Sequence, residues 1–573
     1  GRTTLKRRWQ IFKSDPDLSK KLATELNISE ITAQILINRE INNVKDGESF
    51  LKPKLNNLSN PFDIPNIRDA TKRILKARER GEKVLVYGDY DVDGVAGTVI
   101  VLSTLRLLGI NASYYIPHRY KEGYGLNIDA IKKFKEDEIN LIVTVDCGIG
   151  NLIEIELANS LGIDVVITDH HSPPHALPKA IAIVNPKLIN GDHPSLNLSG
   201  AGVAFKFAWA LLKEFGASPE FLGDNLDLAS LGTIADVVPL LSENRILATC
   251  GLSAISQRKR PGIAQLVDIA RLPSKISTWH VNFVIAPRIN AAGRIEHARV
   301  SVDLLMSQDL GEARKIAENL DRMNKERQSL GSLIQEEAFK FLDESVVDDS
   351  KLLFLEGDGW HPGVIGIVAS QIVERFYRPT ILVGINDGIG RGSARSIDGL
   401  NIFELLGSCR DLYLDFGGHS GAAGFEIQPE NIPELKRRLK EEVDLLITSE
   451  DLVPKIRVDL PLSPQNITMG LIKELEVLEP YGEGNPMPVF LTQGLAPIDV
   501  RTVGDGSHLK LRLTDGRLTL DTIGFGLGDL CDKILSGSKY DIVYTLETNE
   551  WEGFEEAELS LIDIKESNGR RGP

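Results

Sequence analysis

A chain of 573 residues is too long for one hydrophobic core, so three to four domains are expected. With 42% apolar and 25% charged residues it has the composition of a soluble globular protein, and no apolar run approaches a membrane span. The net charge of −16 excludes a surface coated in basic residues, so any polyanion has to be held by local positive charge. Four cysteines without a Cys-x-x-Cys pair argue against a disulfide framework or zinc ribbon, and the polar start Arg2-Thr3-Thr4 opens no signal peptide. A cytoplasmic protein is expected.

Residues 1–50 read as a helical segment rich in Lys, Glu and Asn. From there to about residue 270, strand and helix patterns alternate, as in a mostly parallel, doubly wound sheet. The strand pattern Lys83 to Tyr87 runs into Asp89, Asp91 and Asp93, and an apolar helix follows from Val95 to Leu108. Leu141 to Val145 runs into Asp146, and Asp164 to Thr168 into Asp169-His170-His171. A fourth acid, Asp236, closes an apolar helical stretch. In open parallel sheets ligands bind beyond the carboxyl ends of the strands, so these side chains should converge. Alone, the first run also reads as an acidic surface turn, and Asp146 or Asp236 as a cap. Together they read as a site for two hard divalent cations, since the carboxylates would otherwise repel each other by several kcal/mol. Imidazole beside carboxylate suits Mn2+ better than Mg2+.

Further on, Pro287 to Arg294 carries Arg288 and Asn290, polar residues fit to clamp a phosphate. A long amphipathic helix is predicted over Glu312 to Leu342, within a connecting segment 301–345. A second α/β unit, 346–449, opens with strand Leu352 to Leu355, helix Gly363 to Phe376 and strand Thr380 to Val383. It contains Gly390 to Ser396, either a phosphate pocket or a hairpin turn, and the glycine-rich Gly417 to Gly424 around His419. In 450–573, turn signals at Gly504 to Gly506, Asp515-Gly516 and Glu552-Gly553 separate short alternating strands, which fits a small barrel. Candidate basic contacts are Gln257 to Arg260, Arg288 with Arg294, Arg391 with Arg395, and Lys510 with Arg512 and Arg517. Aromatic side chains for stacking bases are few in the barrel: Phe525, Tyr544, Trp551 and Phe554.

Asp91-Val92-Asp93, Asp146, Asp169-His170-His171 and Asp236, in this order, resemble the four motifs of the DHH phosphoesterase superfamily. Gly417 to Gly424 resembles the glycine-histidine motif of the DHH-associated domain. Gly88 to Gly94, Pro287 to Arg294 and the β-rich end are most similar to the superfamily's bacterial exonucleases specific for single-stranded DNA.

The resemblance implies a DHH domain at 51–300, a DHH-associated domain at 346–449 and an OB-fold at 450–573. It implies two Mn2+ ions, with Mg2+ as substitute. Asp93, His170 and Asp236 would hold one ion and Asp91 the other, Asp146 would bridge them, and Asp89 would be the substitute ligand on the first ion. Pyrophosphatases of the superfamily have a histidine where this chain has Tyr87, which weakens that reading. His171 would contact the scissile phosphate or protonate the leaving group, with a structural hydrogen bond as the alternative. Arg119, Ser393 and Arg395 would recognise the 5′ end, and Arg288, Asn290 and His419 would hold the substrate. The implied partners are single-stranded DNA, single-strand-binding protein and a RecQ-type helicase, with no membrane and a monomeric state. A phosphodiesterase acting on oligoribonucleotides or cyclic dinucleotides, and an inactive scaffold, remain as alternatives.

Overall fold

Val84–Gly88 and Leu141–Val145 are buried along their whole length, the signature of strands covered on both faces. They lie at the centre of a five-stranded sheet ordered Ala112–Tyr115, Val84–Gly88, Leu141–Val145, Asp164–Thr168, Ala182–Val184. All its pairings are parallel. Successive side chains alternate between faces. Val84, Val86, Val143 and Val145 join a large core with helices Ile67–Arg80, Val92–Leu107 and Gly200–Phe215. Leu85, Tyr87, Ile142 and Ile167 pack instead with helices Ile128–Glu136 and Leu152–Ser160. The first strand in sequence has the second on one side and the third on the other. That reversal is the switch point where such sheets open a ligand crevice.

The structure, a computed structural model, describes residues 7–342, 347–551 and 554–567. It falls into two compact units. One comprises residues 43–326 with 478–486, and holds the parallel sheet followed by a helical layer. The return of Leu478–Pro486 to this unit is anchored by Leu240 N, which donates to Glu483 O at 2.8 Å, and by Arg245 Nη2, which donates to Glu479 O at 2.8 Å.

The other unit holds two larger sheets of different design, besides a short two-stranded one. In the first, strands Tyr413–Gly418, Ala422–Ile427, Ile389–Arg395, Thr380–Asn386 and Leu353–Asp358 lie in that order, with only the last pair parallel. Helix Pro362–Phe376 packs on it. In the second, Phe490–Val503 pairs with both His508–Thr514 and Tyr540–Trp551, which closes a five-stranded barrel through Thr519–Gly524 and Phe554–Glu566. The turns at Gly504 to Gly506 and Asp515-Gly516 fall where the sequence places them; Glu552-Gly553 lies outside the described residues.

The long helix spans Leu310–Lys340. The amino-terminal segment departs from its all-helical expectation. Arg8–Ile11 is a strand paired in parallel with Lys455–Val458, and a buried Arg39–Asp459 ion pair at 2.7 Å fastens the following helices to the same region. A strand whose ladder partner is so distant in sequence leaves no local signal.

Within the first unit, Lys206 and Glu243 are fully buried and 2.8 Å apart, and Ser59 and Ser195 complete the hydrogen bonds of the pair. Deleting one partner strands the other charge without water. Glu243→Ala should therefore lower stability by about 3–5 kcal/mol, read as a fall in the urea midpoint of this unit.

Candidate metal centre

Asp146 follows its strand directly and sits in the left-handed region at φ 62°, costly for a non-glycine residue and a mark of functional sites. The twist turns its carboxylate off the strand line toward the switch point. Across the crevice Asp91 caps helix Val92–Leu107, its Oδ1 accepting from Gly94 N at 3.0 Å. Asp93, one residue into that helix, is buried and accepts from two amides, Gly200 N at 2.5 Å and Ala201 N at 2.9 Å. Those amides open helix Gly200–Phe215, whose positive end favours an anion. A side chain at position 200 would place its Cβ 2.6 Å from the Asp146 carboxylate, so only glycine lets this helix approach.

His170 sits among these acids. Its Nε2 lies 3.1 Å from Asp146 Oδ1, 3.5 Å from Asp236 Oδ2 and 4.0 Å from Asp93 Oδ2. Three sets of side chains can each bring ligand atoms within 4.8 Å of one another: Asp93, His170 and Asp236; Asp89, Asp91 and Asp146; Asp146, His170 and His171. Asp146 and His170 each belong to two of these sets.

The donor set fits a metal on a second count. Among the described residues Asp89 Oδ1, Asp146 Oδ1 and His170 Nε2, all buried, have no hydrogen-bond partner, an arrangement proteins avoid unless another ligand satisfies the atoms. Burial, then Asp91, pushes the Asp93 carboxyl up to about 7. Burial, then Asp93, takes Asp236 to about 9. Asp89 and Asp146 are also raised, while burial holds the His170 imidazole down at about 3, in its neutral, ligating form.

Around this centre stand residues that position others. Asp169 is buried, and its Oδ1 meets His171 Nδ1 at 2.8 Å and the amides of His170 and His171, while its Oδ2 accepts from Ile149 N. Although burial opposes charge on His171, the hydrogen bond that its ring donates to Asp169 raises its pKa. Tyr124 Oη lies 3.1 Å from His171 Nδ1, and buried Asn185 donates to the His171 carbonyl at 2.9 Å. The sequence singles out neither, because their partners belong to other strands. Arg119 stacks over the Tyr90 ring at 4.9 Å, with Asp89 and Asp91 acting on its charge.

The expected phosphate clamp looks different in place. Arg288 and Asn290 lie on helix Ala286–Ile295. Arg288 Nε pairs with Asp321 at 3.0 Å and Nη1 donates to Val284 O, while Asn290 Oδ1 accepts from Val92 N at 3.1 Å. Asn290 thus holds the amide that follows Asp91, and Arg288 ties its helix to helix Leu310–Lys340. Other candidate cations are neutralised too: Arg258 by Asp268, Arg260 by Asp227, Arg391 by Glu426, and Lys510 by Glu558.

In the second unit, Arg395 Nη1 donates to Ser393 Oγ at 3.0 Å and Nε to Ser370 Oγ at 3.2 Å, where helix Pro362–Phe376 meets strand Ile389–Arg395. Gly390 to Arg395 thus lies within a strand rather than at a hairpin turn. His419 is exposed at the turn between Tyr413–Gly418 and Ala422–Ile427. In the barrel Phe525 is exposed against His508, whereas Tyr544 is buried and offers no stacking face. The side chains of Trp551 and Phe554 lie outside the described residues.

Residues 83–233 match the DHH family, N-terminal domain, 349–444 the DHHA1 domain, and 458–563 the RecJ OB domain. The single-stranded-DNA-specific exonuclease RecJ of Bacillus subtilis is 42% identical over 562 residues, 97% of this chain and 71% of the relative. RecJ of Salmonella typhimurium is 34% identical over 583 residues, 98% and 100% of the two chains. The chain belongs to the RecJ family. A crystal structure of RecJ from Thermus thermophilus in complex with Mn2+ matches with a TM-score of 0.85 at 32% identity, covering 98% of this chain and 80% of that one. The Mg2+ complex from the same source matches with a TM-score of 0.79 at 30% identity, covering 98% and 79%. The expected combination of DHH, DHH-associated and OB domains is therefore the RecJ one.

The raised carboxyls set a pH dependence for the metal-free protein. Folded Asp236 keeps its proton to about 9, whereas an unfolded aspartate loses it near pH ~4. The stability this contributes is present below the unfolded value and is lost as pH rises toward 9; Asp93 acts likewise through about 7. In chelator, the melting temperature should fall between pH 5 and 9, and Asp236→Asn should flatten that fall. An equally steep fall in the variant would contradict the assignment.

Proposed function

We propose that this chain is a single-stranded-DNA-specific exonuclease, working 5′ to 3′ and releasing 5′-mononucleotides with two Mn2+ ions, for which Mg2+ can substitute. The observation that carries the reading is the buried set Asp89, Asp91, Asp93, Asp146, His170 and Asp236, with three unsatisfied ligand atoms, in a chain similar to RecJ over nearly its whole length. The RecJ OB match at 458–563 favours it over a phosphodiesterase for small nucleotides, which needs no such domain. The intact ligand set speaks against an inactive scaffold. Similarity to RecJ supports a place in DNA repair and recombination, in the cytoplasm, beside single-strand-binding protein and a RecQ-type helicase, as a monomer.

Asp93, His170 and Asp236 would hold one ion, Asp89 and Asp91 the other, with Asp146 shared. When bound, the ions supply an activated water, a clamp on the scissile phosphate and charge relief at the leaving oxygen. The Gly200 and Ala201 amides fix Asp93 in its ligating rotamer. Asp169 and Tyr124 occupy His171 Nδ1, which leaves Nε2 to meet the phosphate or to hand a proton to the leaving oxygen. The raised pKa of this imidazole suits an acid near neutrality. Arg288 holds its helix through Asp321 and would meet the strand only with its remaining nitrogen. Arg119, Ser393 and Arg395 would take the 5′ phosphate, and Asn290 and His419 would steady the strand.

Wild-type protein with Mn2+ should release the label of 5′-labelled single-stranded DNA as a mononucleotide from the first cleavage and leave cyclic dinucleotides and pyrophosphate intact. Asp146→Ala should reduce the rate well below a tenth of wild type; retention above that level would contradict the shared ligand.

Polarity has its own check. Arg395→Ala should cut the preference for 5′-phosphorylated over 5′-hydroxyl strands by about ten- to a hundredfold in kcat/KM, the scale of one charge-assisted contact. Undiminished preference would move 5′ recognition to Arg119.

A further inference from the structure

Beyond the metal ligands, Lys187 of the first unit stands beside the centre and, among the described residues, belongs to no ion pair. Lys187 lies in the turn Pro186–Leu188, directly after strand Ala182–Val184. Its position is tied to the centre through Asn185, which is fully buried. Asn185 Oδ1 accepts from Lys187 N at 2.9 Å, and the same side chain's Nδ2 donates to the His171 carbonyl at 2.9 Å. One buried amide thus links the Lys187 turn to the loop of the two histidines. The lysine side chain is exposed, and its Nζ reaches Ser172 Oγ, on that loop, at 3.5 Å.

The charges of Asp169 and Asp236 act on Lys187, and its own charge acts on His170 and Asp236. That places it on the Asp236 side of the centre, whereas Arg119 is coupled to Asp89 and Asp91. Among the described residues Lys187 forms no ion pair, in contrast to Arg258, Arg260 and Arg288 of the same unit. A cation held beside acids yet paired with none is free to meet a second anion.

We propose that Lys187 binds a non-bridging phosphate oxygen of the DNA strand at the Asp236–His170 edge of the centre. An ammonium group suits this as a point charge, indifferent to base identity and to the exact direction of approach. The inference rests on the proposed nuclease function and deepens it, by assigning a backbone contact to a cation coupled to Asp236 rather than to Asp91.

The test compares wild type, Lys187→Gln and Lys187→Arg on 5′-phosphorylated single strands with Mn2+. One strand is unmodified; the others each carry one uncharged methylphosphonate at the first, second or third linkage. Lys187→Gln should lower kcat/KM on the unmodified strand about tenfold or more, and Lys187→Arg should recover most of it. The slope of log(kcat/KM) against log salt should become shallower by about 0.7, one phosphate contact on a single strand. On the strand whose contacted linkage is neutral, wild type and Lys187→Gln should become equal. Mn2+ binding measured by calorimetry should stay at the wild-type level.

Wild-type kcat/KM and salt slope in Lys187→Gln would overturn the inference. So would a loss of the same size on all the modified strands, because that marks a structural role. Failure of the wild type to degrade any strand would overturn the nuclease reading instead.

Discussion

The structure depends on one electrostatic constraint: several carboxylates share a water-poor crevice at the ends of parallel strands. Two unit charges 4 Å apart repel by about 4 kcal/mol at an effective dielectric near 20. The folded chain can hold Asp89, Asp91, Asp93, Asp146 and Asp236 together only if protons or cations neutralise them. Without metal, protons do so, which is why Asp93 and Asp236 are raised to about 7 and about 9. The surrounding architecture keeps these groups from moving apart. A left-handed backbone aims Asp146, a glycine lets helix Gly200–Phe215 close against it, and two amides pin Asp93. These devices are costly or restrictive, and they make sense together as preparation for divalent ions.

Much of this was legible in the sequence because the signals are local. Apolar runs of strand length end in acids at Asp89, Asp146 and Asp169, and strand order then brings those ends together. The long helix and the helix after His361 were legible for the same reason, as uninterrupted periodic patterns. What escaped was long-range. The Arg8–Ile11 strand depends on Lys455–Val458, and the return of Leu478–Pro486 depends on Leu240 and Arg245.

The polar residues divide along the same line. Arg288 and Asn290 were expected at a phosphate, since type and spacing show only that they can bond anions. In the fold they also bond Asp321 and Val92 N, contacts to distant parts of the chain that residue type and spacing do not reveal. Tyr124, Asn185 and Lys187 carried no motif, yet each is tied to the histidine loop by a specific hydrogen bond. Pairing sharpens the charge problem of an acidic protein in a DNA-degrading family: most basic clusters read from the sequence serve internal ion pairs. Cations left for a polyanion are few, and they gain weight accordingly.

The central claim is that the crevice holds two divalent ions with Asp146 between them. It is tested most directly by titrating Mn2+ into chelator-treated protein in a calorimeter and counting ions per chain. The account predicts two ions per wild-type chain and fewer in Asp146→Ala. A single ion in the wild type, or two in the variant with unchanged affinity, would contradict it.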